Sequence, residues 1–174
     1  MAVNTAFSSE AATLVFSLIT RLGNGWVLAA LIAIPMLLFD RRRARQHLAA
    51  MVIAVAAGGG LVTAAKVLID RPRPAEHPAL AGEEIHAPLG TPSDRSFPSG
   101  HTQTAFGAAT YLACLYPAAA VPLLVAAAMV GLSRMALGVH FPADVLFGSL
   151  IGAALSLIAY HVACRRAASR NSGV

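Results

Sequence analysis

Residues 133–144 read Ser-Arg-Met-Ala-Leu-Gly-Val-His-Phe-Pro-Ala-Asp, and they lie between two strongly apolar segments. Arg134, His140 and Asp144 are thereby placed at the mouth of a hydrophobic segment, where an unpaired charge is costly. Pro142 favours the first turn of a helix, because its missing N–H would have no intrahelical partner there. A helix that begins at Pro142 lets Asp144 accept a hydrogen bond from one imidazole nitrogen of His140 and leaves the other nitrogen free. Such a pair is suited to attack a phosphoryl group, and it is equally compatible with a structural cap or a buried hydrogen bond.

The composition indicates a membrane protein. The chain has 174 residues, of which 57% are hydrophobic and only 12% are charged, which is too apolar for an ordinary soluble domain. The length fits one domain, 1–174. The formal charge of +5 therefore concerns membrane orientation, and no nucleic-acid partner is expected. Cys114 and Cys164 form no disulfide framework or metal-ligand cluster, and both are expected to fill apolar helix faces.

Apolar segments of roughly 20 residues can cross a bilayer as helices. The predicted spans are 26–39, 48–69, 101–116, 118–139 and 142–163. Between them, the only long polar connection runs from Arg71 to Pro98, and a connection of that length is usually functional.

The N-terminal segment has a different pattern. Apolar residues recur at helical spacing over 7–22 but are interrupted by polar ones, which is typical of an amphipathic helix lying in the interface. A spanning helix is the alternative. Gly23-Asn24-Gly25 is predicted to end this helix, and Trp26 to anchor the next one at the interface. The sequence thus predicts an all-α polytopic membrane bundle: an interfacial helix (1–22), a catalytic helical core of about five transmembrane helices (23–163) and a cytoplasmic tail (164–174).

The arginines indicate the orientation of the bundle. One cluster lies at 41–45 and another at 165–170, and five spans place both clusters on the same side. The positive-inside rule makes that side cytoplasmic. Lys66, Arg73 and Arg134 then fall on the opposite side, together with most of the acidic residues.

Two further stretches belong at that outer side. Lys66 to Pro74 reads Lys-Val-Leu-Ile-Asp-Arg-Pro-Arg-Pro, and Phe97 to Thr102 reads Phe-Pro-Ser-Gly-His-Thr. In the second stretch, Ser99 and Gly100 immediately precede a predicted helix, whose free N–H groups can bind an anion. All three stretches fall at the outer ends of spans, so the sequence predicts that they converge on one site.

Together the three stretches resemble the signature of the type 2 phosphatidic acid phosphatase family. The first motif, Lys-x6-Arg-Pro, corresponds to Lys66 and Arg73-Pro74. The second, Pro-Ser-Gly-His, is residues 98–101, and the third, Ser-Arg-x5-His-x3-Asp, is residues 133–144. Every motif position matches in order and spacing, and the resemblance covers roughly residues 23–163. Many bacterial members of the family have a full first span where residues 7–22 here look interfacial.

The resemblance implies a metal-independent lipid phosphatase with no cofactor. It assigns His140 as the nucleophile that forms a phosphohistidine, Asp144 as the residue that orients it, and His101 as general acid and then base. The implied phosphate-binding residues are Lys66, Arg73, Ser99, Gly100 and Arg134. Three cations can neutralise the phosphoryl oxygens in place of a metal ion.

The implied substrate is the phosphate or diphosphate headgroup of a membrane lipid: phosphatidic acid, phosphatidylglycerol phosphate, undecaprenyl diphosphate or lipid A. The site is expected to face the periplasm or exterior of a bacterial inner membrane. A lipid-to-lipid phosphotransferase and, from another class, an ion or proton transporter are the alternatives, and the sequence leaves the oligomeric state open. Vanadium-dependent haloperoxidases share the motifs but are soluble.

Several nearby polar residues receive structural interpretations. Arg71 is interpreted as a solvated interfacial arginine that could also touch phosphate, and Asp70 as the partner of a nearby arginine. His77 and His86 are interpreted as surface residues of the polar connection.

Overall fold

The computed structural model describes residues 2–171, and these form a helical bundle without strands. The helices, in chain order, are α1 (Ala2–Ala6), α2 (Glu10–Arg21), α3 (Gly25–Phe39), α4 (Arg41–Ile69), α5 (Gly100–Leu115), α6 (Ala120–Ala136) and α7 (Pro142–Asn171). Short 3₁₀ turns lie at 74–76, 78–80 and 117–119. The prediction of an all-α fold is confirmed.

Helix α5 is the centre of the bundle, where it packs between α4, α6 and α7. Its most extensive contact is with α7, and glycines make that contact close. A Cβ atom on Gly152 would lie 2.2 Å from the carbonyl oxygen of Gln103, and one on Gly148 would lie 2.5 Å from that of Ser99. Small residues at helix interfaces allow this approach in membrane proteins, where dispersion contacts replace the hydrophobic driving force.

Most predicted helix boundaries agree with the structure to within two residues, and the larger differences have local causes. Helix α4 begins at Arg41, seven residues before the predicted span, because Asp40 caps it by accepting from the Arg43 N–H at 3.3 Å. Helix α6 ends at Ala136, and Gly138 turns the chain with a φ of 69°. Helix α7 continues through the start of the predicted tail to Asn171; residues 172–174 of that tail lie outside the described range.

Within residues 2–171, three helical segments are long and apolar enough to cross a membrane. They are Arg41–Leu80, Pro117–Ala136 and Pro142–Ser169. A fourth span results if α2 and α3, which meet at an angle of 62°, are counted as one broken span. Helix α5 has 16 residues and is largely enclosed by its neighbours. The chain is an integral membrane protein, whereas the exact count of about five spans stays a prediction.

The N-terminal helices pack on the bundle more closely than an interfacial helix requires. Phe16 of α2 is buried with Ala136, Leu137 and Val139 at the end of α6. The opposite face of α2, with Leu14, Val15 and Leu18, is exposed. The predicted break at 23–25 is confirmed, since Asn24 caps α3 by accepting from the Trp26 N–H at 3.0 Å.

The two ends of the bundle differ in character. At one end, Tyr116 after α5 donates to Asp40 between α3 and α4 at 3.1 Å, and Arg43 pairs with Asp40 at 2.7 Å. His47 of α4 is stacked on Tyr160 of α7 near the same end. The arginine-rich ends therefore lie together, as predicted, while the ends that carry the three motifs lie at the other end of the bundle.

Candidate active site

The site is built around the first turn of α7. Pro142 begins this helix as predicted, and the Asp144 carboxylate accepts from the backbone N–H of Phe141 at 2.8 Å. The same oxygen, Oδ2, lies 3.4 Å from Nδ1 of His140. Both side chains are buried, with Asp144 at 0% and His140 at 2% exposed. The predicted His140–Asp144 pair is therefore present, although its long distance makes it a loose contact.

Two hydrogen-bond partners of Asp144 come from outside α7, and the sequence did not predict either contact. Arg71 donates to Oδ1 at 2.9 Å, and the hydroxyl of Ser96 donates to Oδ2. The interpretation of Arg71 as a solvated arginine was wrong, because its guanidinium pairs with a fully buried carboxylate. No sequence spacing links residues 71, 96 and 144; the fold of the connection after α4 brings them together. Asp70, as predicted, pairs with an arginine, Arg95.

Two cations of the first motif share an acidic partner. Asp94 pairs with Nζ of Lys66 and with Nη2 of Arg73, the latter at 2.5 Å. Arg73 is almost fully buried and also donates from Nη1 to the Val139 carbonyl at 2.6 Å. That same Nη1 lies 3.4 Å from Nε2 of His140. The free nitrogen of the predicted nucleophile thus faces a cation, where a phosphoryl group would be held.

The second motif begins α5. The Ser99 hydroxyl accepts from the Thr102 N–H at 3.4 Å and from its hydroxyl at 2.9 Å, so Ser99 caps the start of α5. The Ser99 N–H donates to the Asp144 carbonyl at 2.9 Å, which joins the start of α5 to the start of α7. Ser99 is fully buried, and its assignment to phosphate binding stays a prediction.

Arg134 of α6 is held from an unexpected direction. Its Nη1 donates to the hydroxyl of Thr20 in α2 at 2.8 Å, so the N-terminal helix supports the site. Its Nε is buried and has no hydrogen-bond partner within the described chain. A buried unpaired donor is costly.

A cavity of about 800 Å³ joins these groups. Six of the predicted site residues line it: Lys66, Arg73, Gly100, His101, Arg134 and His140. Ser99 and Asp144 lie behind this wall, where they support the residues that face the cavity. The convergence of the three motifs, which the sequence could only predict, is present in the structure.

Burial and neighbouring charges determine the protonation state of His140. Burial lowers its pKa to about 4, and the nearby Arg134 and Arg73 charges act in the same direction, against the raising effect of Asp144. The imidazole is therefore neutral at physiological pH and has a free lone pair. Burial opposes ionisation of Asp94, but hydrogen bonds from Lys66 and Arg73 outweigh it and lower the pKa of Asp94 to about 2.

The sequence profile of the PAP2 superfamily matches residues 47–167, which contain all three motifs. The chain belongs to the PAP2 superfamily. This membership confirms the resemblance inferred from the motifs.

Individual proteins are also similar to this chain in sequence or in structure. A decaprenylphosphoryl-5-phosphoribose phosphatase of Mycobacterium tuberculosis is 37% identical over 138 residues, which are 77% of this chain and 69% of the relative. The crystal structure of Aquifex aeolicus LpxE has a TM-score of 0.76 at 31% identity, covering 91% of this chain and 90% of that one. A transmembrane PAP2-type phosphatidylglycerolphosphate phosphatase from Bacillus subtilis has a TM-score of 0.72 at 26% identity, covering 92% and 82%. This chain is accordingly a membrane enzyme of the lipid phosphatase class, as predicted.

Proposed function

We propose that this protein hydrolyses the phosphate or diphosphate headgroup of a membrane lipid through a phosphohistidine on His140, without a metal ion. One observation carries the proposal: a single cavity is lined by two histidines and four cations, Lys66, Arg73, Arg95 and Arg134, and Nε2 of His140 lies 3.4 Å from Nη1 of Arg73. Such an arrangement combines a nucleophile with preorganised positive charge, which is the main requirement of phosphoryl transfer.

In the first step, Nε2 of His140 attacks phosphorus while the bond between phosphorus and the lipid oxygen breaks. His101, protonated once the phosphate anion lies beside it, gives its proton to the departing alkoxide, and the phosphoryl group stays on His140. Lys66, Arg73 and Arg134 stabilise the charge on the three equatorial oxygens.

In the second step, His101 accepts a proton from a water molecule as that water attacks phosphorus. The N–P bond breaks, inorganic phosphate leaves, and His140 returns to its neutral form. Asp144 stabilises the positive charge that His140 carries while phosphorylated, because its carboxylate lies beside Nδ1.

The substrate enters from the bilayer with its headgroup at the motif-bearing end of the bundle. We place that end at the periplasmic or external face of a bacterial inner membrane, because the arginine clusters lie at the other end. The names of the relatives support a lipid whose phosphate is joined to an alcohol: a phosphorylated ribose in one and a glycerol in another.

The test is release of phosphate by the purified protein from a panel of lipids in detergent micelles. The panel contains phosphatidic acid, phosphatidylglycerol phosphate, undecaprenyl diphosphate, lipid A and decaprenylphosphoryl-5-phosphoribose, with glycerol 3-phosphate as the matched soluble control. We expect activity on at least one lipid, persistence in excess chelator, and inhibition by vanadate, which mimics pentacoordinate phosphorus. Appearance of the phosphate on another lipid would identify a phosphotransferase instead. Loss of activity in chelator, with recovery on adding a divalent metal, would refute the metal-free mechanism.

A further inference from the structure

Arg71 contacts the site without facing its cavity. It follows α4 directly, and its Nη1 donates to Oδ1 of Asp144 at 2.9 Å. The Asp144 side chain is 0% exposed, whereas that of Arg71 is 30% exposed. Arg71 does not line the cavity that holds His140 and the other cations. It therefore supplies the charge that compensates a buried carboxylate, and it reaches that carboxylate from outside the cavity.

The two oxygens of Asp144 have different partners. Oδ2 faces His140 and accepts from the Phe141 N–H and the Ser96 hydroxyl, whereas Oδ1 is bound by Arg71. A carboxylate can rotate about its Cβ–Cγ bond, so a charged donor on one oxygen fixes the direction of the other. A charge-assisted hydrogen bond is about twice as strong as a neutral one, which suits Arg71 to this task.

Arg71 is itself held in place by two further contacts. Its guanidinium lies 4.1 Å from the centroid of the Phe141 ring, a distance at which a cation and an aromatic face attract each other. Its carbonyl oxygen accepts from the Ser96 N–H at 2.9 Å, which fixes the residue whose hydroxyl binds the other oxygen of Asp144. Arg71 thus organises both sides of the carboxylate.

We propose that Arg71 is a positioning residue of the phosphatase site, which holds the Asp144 carboxylate in the orientation that supports His140. This inference rests on the proposed function in assigning His140 as the nucleophile. Removal of Arg71 leaves a buried carboxylate without its charged partner and frees it to turn. The imidazole then loses its fixed orientation, and misplacement of a reacting group by about 1 Å can cost roughly 100-fold in rate.

The same contact affects the charge state of His140. Without the Arg71 charge, the negative field of Asp144 on the imidazole is stronger, which favours imidazolium and moves its titration to higher pH. The other charged or titratable groups at the site are Arg134 from α6, His101 from α5, Lys66 from α4, and Asp70, Arg73, Asp94 and Arg95 from the connection after α4. All of these remain when Arg71 alone is replaced.

The experiment compares Arg71→Gln and Arg71→Lys with wild type, in full-length protein purified in detergent. Arg41→Ala is the matched control, because Arg41 is an exposed arginine at the opposite end of α4. We expect Arg71→Gln to lower kcat by about 10- to 100-fold and to change KM by less than about threefold, because positioning acts on the transition state. Arg71→Lys should recover part of kcat, since it keeps the charge but not the planar guanidinium. A raised KM with unchanged kcat would make Arg71 a phosphate ligand and overturn the proposal.

A second readout does not depend on turnover. Nitrogen NMR of protein labelled at histidine, with the His140 signals identified by their loss in His140→Gln, follows the titration of this imidazole. We expect the midpoint to rise in Arg71→Gln and to stay near the wild-type value in Arg71→Lys and Arg41→Ala. An unmoved titration midpoint of His140 in a folded Arg71→Gln protein would overturn the inference, whether or not wild type releases phosphate. A wild type that releases no phosphate would refute the proposed function separately. If Arg71→Gln does not fold, kcat of Arg71→Lys decides, and a wild-type value there overturns the proposal.

Discussion

His101 and His140 line the same cavity but have different neighbours. His140 is buried beside Asp144 and Arg73, whereas His101 is only partly buried at the start of α5. The proposed mechanism makes them unequal, since His140 forms a covalent bond and His101 transfers protons. His140→Ala should abolish turnover and leave no phosphoenzyme. His101→Ala should lower the rate on an alkyl lipid phosphate by about 10²- to 10⁴-fold and spare an aryl phosphate in part, because a phenolate needs little protonation to leave.

The measurement is the ratio of the aryl to the alkyl rate in each folded variant. Asp144→Asn is the matched control, because it should slow both substrates by disturbing the tautomer or orientation of His140. A ratio that rises no more in His101→Ala than in Asp144→Asn would show that the general acid is another residue.

Asp94 pairs with two of the cations that we propose to bind phosphate. Its carboxylate pairs with Lys66 and Arg73, so a phosphate group must compete with it. Asp94→Asn should therefore tighten vanadate inhibition and lower KM, by roughly two- to fivefold, because Asp94 is half-exposed and such ion pairs contribute little. Glu84→Gln, an exposed carboxylate in the same connection, is the matched control. Weaker vanadate inhibition in Asp94→Asn would mean that Asp94 positions the cations instead of competing for them.

The pKa of Asp94 also sets a pH range. Because its pKa in the folded protein is lowered to about 2 from 3.8, the stabilisation from its ion pairs is fully present above the ordinary pKa. It is lost as the pH falls through the lowered value. The difference in vanadate inhibition between wild type and Asp94→Asn should accordingly be constant between pH 5 and 8.

At the scale of the elements, the most extensive contact in the bundle is between α5 and α7. Gly152→Ala would place a methyl group 2.2 Å from the Gln103 carbonyl oxygen, and backbone atoms cannot move aside cheaply. We expect it to destabilise the protein by about 1–3 kcal/mol or more and to separate the two helix starts that carry His101 and His140. Gly60→Ala is the matched control, because its Cβ meets nothing within 4 Å.

Thermal unfolding in detergent, together with the phosphatase rate, measures this effect. The midpoint should fall in Gly152→Ala and stay or rise slightly in Gly60→Ala, since alanine favours helix more than glycine does. Equal unfolding midpoints in the two variants would show that the close approach of α5 and α7 does not determine the stability of the protein.

At the scale of the whole molecule, the arginine clusters and the motifs lie at opposite ends of the bundle. The orientation is tested by single cysteines at Arg42 and Glu84, which are both exposed, after Cys114 and Cys164 are replaced by serine. An impermeant thiol reagent applied outside intact cells should label the Glu84→Cys protein and leave the Arg42→Cys protein unlabelled. Labelling after permeabilisation is the control for reactivity at each site. The reverse pattern would place the active site in the cytoplasm.

The sequence alone determined the membrane class, the helical fold and the end of the bundle at which the site lies. These follow from local properties: the length of the apolar segments, the charge of their connections, and the helix start and end signals given by Pro142 and by glycine. It also indicated the residues that line the cavity, such as His101, His140 and Arg134, because their spacing within each motif is short and they stand at helix ends.

Tertiary structure alone decided which residues support that cavity. Arg71 and Ser96 meet at Asp144, Asp94 bridges two cations, and Thr20 of α2 reaches Arg134, although more than a hundred residues separate the last pair. The interfacial pattern of α2 likewise gave no sign that Phe16 would pack on α6. The periodicity of a sequence shows which face of a helix is apolar, but it does not show which element packs on that face. The polar side chains of the connection after α4 meet their partners only in the folded protein, where the α5–α7 contact brings the starts of the two helices together.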